Sequence, residues 1–192
     1  MSTQHIKPTI DPYTTCPIYE TEHFTLRLVE EGDAKDLLAC YADRDAWEIF
    51  NADCCTSDFR YQSVGEMREC IGFWLDAYSV RAFVRFAIVD KANGKAVGTI
   101  EMFGDKPAEG RPDGVLRIDI ASPYEKRGYV SELLTLADEQ FFSLFEVKCI
   151  YTKAVPAAIE RIAALEQAGY APFEWKADRK HYYDKTMGSQ PF

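Results

Sequence analysis

Apolar and polar residues alternate along Phe24-Thr25-Leu26-Arg27-Leu28-Val29, the two-residue period of a strand with one buried face. Asp33 then offers a helix cap ahead of an apolar stripe made of Ala34, Leu37, Leu38 and Tyr41. Ser63 and Glu66 have the spacing of a capping box, and Met67, Cys70, Ile71, Trp74, Leu75 and Tyr78 recur behind it with helical period. Between these helices, residues 47–61 follow no period. Strands are predicted at 83–89 and 96–103, joined at Asn93-Gly94, a pair that tolerates positive φ. Residues 104–114 read as a loop rich in Gly, Pro and charge, and 115–121 as another strand.

The longest helix runs over about 126–145, with Val130, Leu133, Leu134, Ala137, Phe141 and Leu144 on one face. A strand at 147–152 and a helix at 157–168 follow, the helix stopped by Gly169. Residues 170–175 and 181–187 close the chain as a hairpin. Pro8, Pro12 and Pro17 mark the start as an extended arm, so the organisation expected is an arm over 1–22 and one α+β domain over 23–192.

Composition narrows the classes. Among 192 residues the net charge is -9, which discourages nucleic acid, whose phosphates need a basic footprint. The same acidity is compatible with an amine acceptor, and a cationic one in particular. No apolar run approaches the roughly 20 residues of a membrane-spanning helix, and Met-Ser-Thr-Gln-His lacks the apolar core of a signal peptide, so the expectation is a cytoplasmic protein without a membrane partner. The cysteines at 16, 40, 54, 55, 70 and 149 form no C-x-x-C pair, so no metal is expected. Cys40, Cys70 and Cys149 fall on apolar positions and read as buried hydrophobes, while Cys54 and Cys55 are left as thiols of open role.

Chemistry concentrates in Ile118-Asp119-Ile120-Ala121-Ser122-Pro123-Tyr124-Glu125-Lys126-Arg127-Gly128-Tyr129-Val130-Ser131. A strand breaks at a proline, makes a basic turn and opens into an amphipathic helix. The first turn of that helix has N–H groups without intrahelical partners and partial positive charge. Gly128 removes a side chain, and Lys126 and Arg127 add full charge, so the turn reads as an anion site for phosphate. The plainer alternative is an ordinary strand-to-helix connection with solvated Lys and Arg.

The order of elements, with Pro123 to Glu132 as its motif, resembles the GNAT acetyltransferase superfamily, in the form closest to the branch that acetylates ribosomal-protein N-termini. Phe24-Thr25-Leu26-Arg27, Ala96-Val97-Gly98-Thr99-Ile100 and Ala164-Leu165-Glu166-Gln167-Ala168-Gly169-Tyr170 extend the likeness over nearly the whole chain. The resemblance implies a mixed, mostly antiparallel, splayed sheet with helices on both faces and acetyl-CoA as co-substrate. The pantetheine arm would lie along Ile118, Asp119, Ile120 and Ala121. The pyrophosphate would sit on N–H groups of Lys126, Arg127, Gly128, Tyr129, Val130 and Ser131. Two motif positions depart from the family: Glu125 stands where Gln or Arg is usual. Val130 stands where Gly or Ala is usual, a bulk expected to narrow the approach.

Acyl transfer to an amine needs a base for the amine and a proton for the departing thiolate. Glu101 and Asp119 lie on the two central strands and are the candidate catalytic carboxylates; the alternative is a cross-strand ion pair with Arg117. Ala158 and Leu165 occupy the places where the family usually carries an Asn and a Tyr general acid. Direct attack in a ternary complex is therefore expected, without an acyl-enzyme. For the acceptor, Asp43, Asp45, Glu48 and Asp53 with Trp47 and Phe50 suggest an acidic, aromatic entry for a cation; a solvated loop over an apolar plug is the alternative. A peptide N-terminus, a polyamine, an amino acid and an aminoglycoside all fit, and self-association through the arm or the last strands is left open. A catalytically degenerate CoA-binding or protein-binding module of the same fold is the competing reading, based on Glu125, Val130, Ala158 and Leu165.

Overall fold

The computed structural model describes residues 10–53, 55, 59–105, 113–174 and 179–188. Eight strands form one sheet in the order β1-β2-β3-β4-β5-β6-β8-β7. They are β1 Tyr19–Glu20, β2 Phe24–Leu28, β3 Val84–Asp90, β4 Lys95–Asp105, β5 Asp113–Ile120, β6 Cys149–Lys153, β7 Ala171–Phe173 and β8 Tyr182–Thr186. Among the described residues four α-helices complete the fold: α1 Ala34–Tyr41, α2 Val64–Ser79, α3 Arg127–Leu144 and α4 Ile159–Gln167. No helix among the described residues is long and apolar enough to cross a membrane.

Every pairing is antiparallel except that of β5 with β6, which holds only from Asp113↔Cys149 to Leu116↔Thr152. Beyond Leu116 the two strands part. Residues 117–120 of β5 keep β4 on one side and open a splay on the other.

Strand alternation decides what each face carries. Phe86, Ile88, Ile100, Met102, Leu116 and Ile118 point to one face and form a core with Leu133, Leu134 and Phe141 of α3. Phe86 and Phe141 stack at 5.5 Å, and burial of each such side chain contributes roughly 1.5–3 kcal/mol. α4 packs beside α3 and adds Ala164 and Leu165 to that core. The other face is covered by α1 and α2, with Leu37, Tyr41, Met67, Ile71 and Trp74 packed near Ala87.

Several local expectations hold and others are corrected. The Ser63/Glu66 capping box forms in both directions, and Gly169 follows α4 at φ 84°. Asp33 precedes α1 without capping it; its carboxylate instead takes both Arg27 nitrogens at 2.9 and 2.7 Å and the Glu30 N–H. The β3–β4 connection spans residues 91–94, and only Gly94 is left-handed, because the Asp90 side chain holds Ala92 N–H and the Asn93 amide in place. Gly104 and Gly114, expected in a loop, pair across β4 and β5; residues 106–112 lie outside the described residues. The segment over 10–20 lies against the body: Tyr78 donates to the Pro12 carbonyl, and Tyr19–Glu20 adds a strand to β2.

Candidate functional site

On the α1/α2 face the central strands carry charge where a core is expected. Arg85, Glu101 and Arg117 are directly opposite one another across β3, β4 and β5, and Ala87, Thr99 and Asp119 form the next row. All five polar side chains are buried, Asp119 completely. Glu101 is clamped from both sides: one oxygen accepts from Arg85 Nη2 in a very short contact, the other from Arg117 Nη1 at 3.0 Å. Tyr41 reaches down from α1, its hydroxyl 2.7 Å from Thr99 Oγ1 and 3.1 Å from Arg85 Nη1, and it donates to Asp119 at 3.4 Å. Trp74 of α2 lies over the Arg85 guanidinium at 4.1 Å. Desolvation pushes the Asp119 carboxyl above the ordinary range, against the pull of Arg85, Arg117 and Arg161.

The connector after α1 binds this row to the splay. Asn51 N–H donates to Asp119 at 3.4 Å, Arg117 Nη2 to the Asp53 carbonyl, and Lys153 of β6 to the Asp53 carboxylate at 2.7 Å. Tyr182 of β8 donates to the other Asp53 oxygen at 3.0 Å. The acids expected to form a cationic entry are thus dispersed. Asp43 accepts Ser122 N–H, Asp53 is neutralised by Lys153, and Trp47 faces the guanidinium groups of Arg44 and Arg60. None of the four acids lines the neighbouring cavity.

That cavity, about 280 Å³, opens between α2 and the charged row. Phe59, Tyr61, Phe73, Trp74, Phe83 and Phe103 line it, and Arg85, Glu101 and Arg117 close it.

At the splay, Ile118 and Ile120 alternate with residues bonded to β4, which leaves their backbone groups facing the gap. The Ile118 carbonyl is engaged by Arg161 Nη1 of α4 at 2.8 Å. Arg161 also grips Glu125 through bonds of 2.8 and 2.6 Å, so the carboxylate at the family's Gln/Arg position is paired and buried. Ala121 N–H is bonded to the Val97 carbonyl, so Ala121 belongs to the sheet edge and offers no free donor.

The phosphate turn is narrower than the sequence suggests. Lys126 N–H bonds the Tyr124 carbonyl, Val130 N–H bonds the Lys126 carbonyl, and Ser131 N–H continues the helix ladder. Arg127 N–H is taken by the exposed Glu160 carboxylate at 3.1 Å. The N–H groups of Gly128 and Tyr129 remain outside the intrahelical ladder. A Cβ at Gly128 would meet nothing, so the turn is open there. Val130 is fully buried in the α3 core, so its bulk does not narrow the approach. These groups fit a pyrophosphate: two free donors at a helix N-terminus, an open glycine and two nearby cations.

Ala158 and Leu165 are buried and carry no proton donor. Cys149 is buried and its thiol is pushed up by desolvation, as an inert core cysteine's would be; Cys54 lies outside the described residues. No cluster of metal-binding side chains occurs among the described residues. Sequence reasoning missed Arg85, Tyr41 and Arg161. Arg85 had a signal, a charged residue on the inward face of an otherwise apolar strand; Tyr41 and Arg161 had none, since their partners are 36 to 78 residues distant.

A family model for the acetyltransferase (GNAT) domain matches residues 23–171. Among solved structures, ribosomal-protein-S5-alanine acetyltransferase from Vibrio fischeri superposes with a TM-score of 0.68 at 16% identity, covering 90% of this chain and 97% of that one. Spermidine N-acetyltransferase from Vibrio cholerae, solved with CoA and spermine, gives 0.63 at 17% identity, with 86% and 96% covered. A ribosomal alpha-N-protein acetyltransferase in complex with coenzyme A gives 0.65 at 12% identity, with 89% and 98% covered. No curated protein sequence matches the chain.

Proposed function

Given that the chain belongs to the GNAT acetyltransferase family, we propose that it transfers an acetyl group from acetyl-CoA to a primary amine by direct attack in a ternary complex. The observation that carries this reading is the presence together of a β5 edge that pairs with no strand beyond Leu116, its Ile118 carbonyl held by Arg161, and the N–H groups of Gly128 and Tyr129 outside the helix ladder. One region offers strand-like pairing for an extended amide chain, and the other binds its phosphates. The β5 edge adjoins Asp119, whose carboxylate is buried.

The chemistry balances simply. The amine nitrogen attacks the thioester carbonyl, a C–N bond forms, the C–S bond breaks, and the proton lost by nitrogen must go to a base. Of the two candidate carboxylates, Asp119 suits that role better. Both Glu101 oxygens are held by guanidinium groups, so Glu101 positions Arg85 and Arg117. Asp119 is held by long bonds from Tyr41 and Asn51 and by Arg85 Nη1 at 3.6 Å, a looser grip than the one on Glu101, and burial raises its affinity for a proton.

Isothermal titration with acetyl-CoA tests the site, with Gly128→Arg as control. A Cβ at this exposed position meets no atom within 4 Å, so the variant should melt close to the wild type yet lose acetyl-CoA binding. Equal binding by both proteins would remove the phosphate turn from the proposal. A second reading, CoA binding without turnover, is favoured by Ala158 and Leu165, which are buried and carry no proton donor where the family usually has one. Binding with no amine-dependent thiol release across an acceptor panel would select it.

A further inference from the structure

The charged row contains donors that the protein itself does not use. Arg85 Nε and Arg117 Nε are buried and have no hydrogen-bond partner, although the remaining guanidinium nitrogens of both residues are engaged. A buried N–H without a partner is costly, so two beside one cavity point to a missing ligand. Both residues line the aromatic cavity, and Arg85 Nη1 lies 3.6 Å from Asp119.

Charge reinforces the point. In a chain of net charge -9, the cavity's ionisable lining comprises two guanidinium groups and one carboxylate, Glu101, apart from cysteine and tyrosine. Its walls are aromatic, and the low dielectric there strengthens any interaction with an anion. A cavity of about 280 Å³ is at the small end for ligand sites, enough for one ring or branched side chain.

We infer that the acceptor is a small amine that also bears a carboxylate on an aromatic or branched apolar body, the chemistry of a hydrophobic amino acid, with the carboxylate on the Arg85 and Arg117 Nε–H groups. The inference rests on the acetyl-transfer reading for the amine's fate, but the binding of the carboxylate is independent of it. Phe73 and Trp74 would cover the apolar body, and Asp119 lies two residues along β5 from Arg117, within about 7 Å along the strand.

The test uses the whole chain in two arms. Acetyl transfer from acetyl-CoA, read by thiol release and product mass, is compared for L-phenylalanine, L-leucine, phenethylamine and spermidine. Titration calorimetry then compares N-acetyl-L-phenylalanine with N-acetylphenethylamine on the protein alone. The carboxylate should raise kcat/KM and product affinity by about tenfold or more. Arg117→Lys, which keeps charge but removes Nε, should reduce that preference to about threefold or less. Equal or better use of phenethylamine or spermidine overturns the inference while acetyl transfer stands. Preferential binding of N-acetyl-L-phenylalanine without any transfer supports the pocket and removes the enzymatic reading. Equal binding of both N-acetyl compounds, or none, overturns the pocket itself, whether or not the variant folds.

Discussion

Replacing Arg161 with methionine would test the link between α4 and the phosphate turn. Methionine keeps an apolar stem but removes the guanidinium that holds Glu125 through two bonds and the Ile118 carbonyl through a third. The two side chains are only 3% and 7% exposed, so water cannot replace the lost partner. Breaking a buried ion pair from one side costs about 3–5 kcal/mol, because a charge is left stranded. In a domain of this size each kcal/mol lowers Tm by about 2–4 °C, so Arg161→Met should melt about 6–20 °C below the wild type. Adding Glu125→Gln removes the stranded charge and should restore most of that loss. Acetyl-CoA affinity should follow the same order, since an unpaired carboxylate beside the turn repels phosphate. Calorimetric melting and titration of the three proteins provide the measurement. A single variant within about 2 °C of the wild type, or a double variant as unstable as the single, would refute the reasoning.

Asp119→Asn should lower kcat by about 10²–10⁴ with acetyl-CoA affinity unchanged, as expected on losing a general base. Because burial raises the Asp119 carboxyl, kcat/KM in the wild type should fall as pH drops through a value above the ordinary carboxylate pKa of about 3.9; an acid limb at or below that value would exclude Asp119. His23 bonds Glu132 of α3 at 2.8 Å, and that bond raises its pKa. The stabilisation is therefore complete below the unfolded value of about 6.5 and disappears as pH rises through the folded one. NMR titration of His23 should give a value above about 6.5 that Glu132→Gln returns to it; the same value in both proteins would contradict the contact.

Much of the frame was legible in the sequence because it is encoded locally. Two-residue alternation identified β2, the 3.6-residue stripe identified α2 and α3, and Ser63/Glu66 announced a helix start that formed as read. The basic turn was also local, since Pro123, Lys126, Arg127 and Gly128 lie within six residues at the start of one helix. Its occupancy was not. That Glu160 caps Arg127 N–H, that Arg161 neutralises Glu125, and that Val130 turns into the core depend on where α4 docks.

The acceptor side shows the same division. A period of two places Glu101 and Arg117 on one face of their strands, but it does not specify which residues lie opposite them. Register does, and it set Arg85 against Glu101 and brought Tyr41 over Thr99. The acidic connector after α1 looked cationic in preference when read as a list of charges. Folding committed Asp43 to Ser122 and Asp53 to Lys153 and left guanidinium groups at the cavity instead. Sequence alone determined most of the elements, the family and the basic turn ahead of α3, because each rests on neighbours in the chain. Tertiary structure alone decided which charges were cancelled and which remained available, because an ion pair is made by proximity in space and its strength by the water excluded around it.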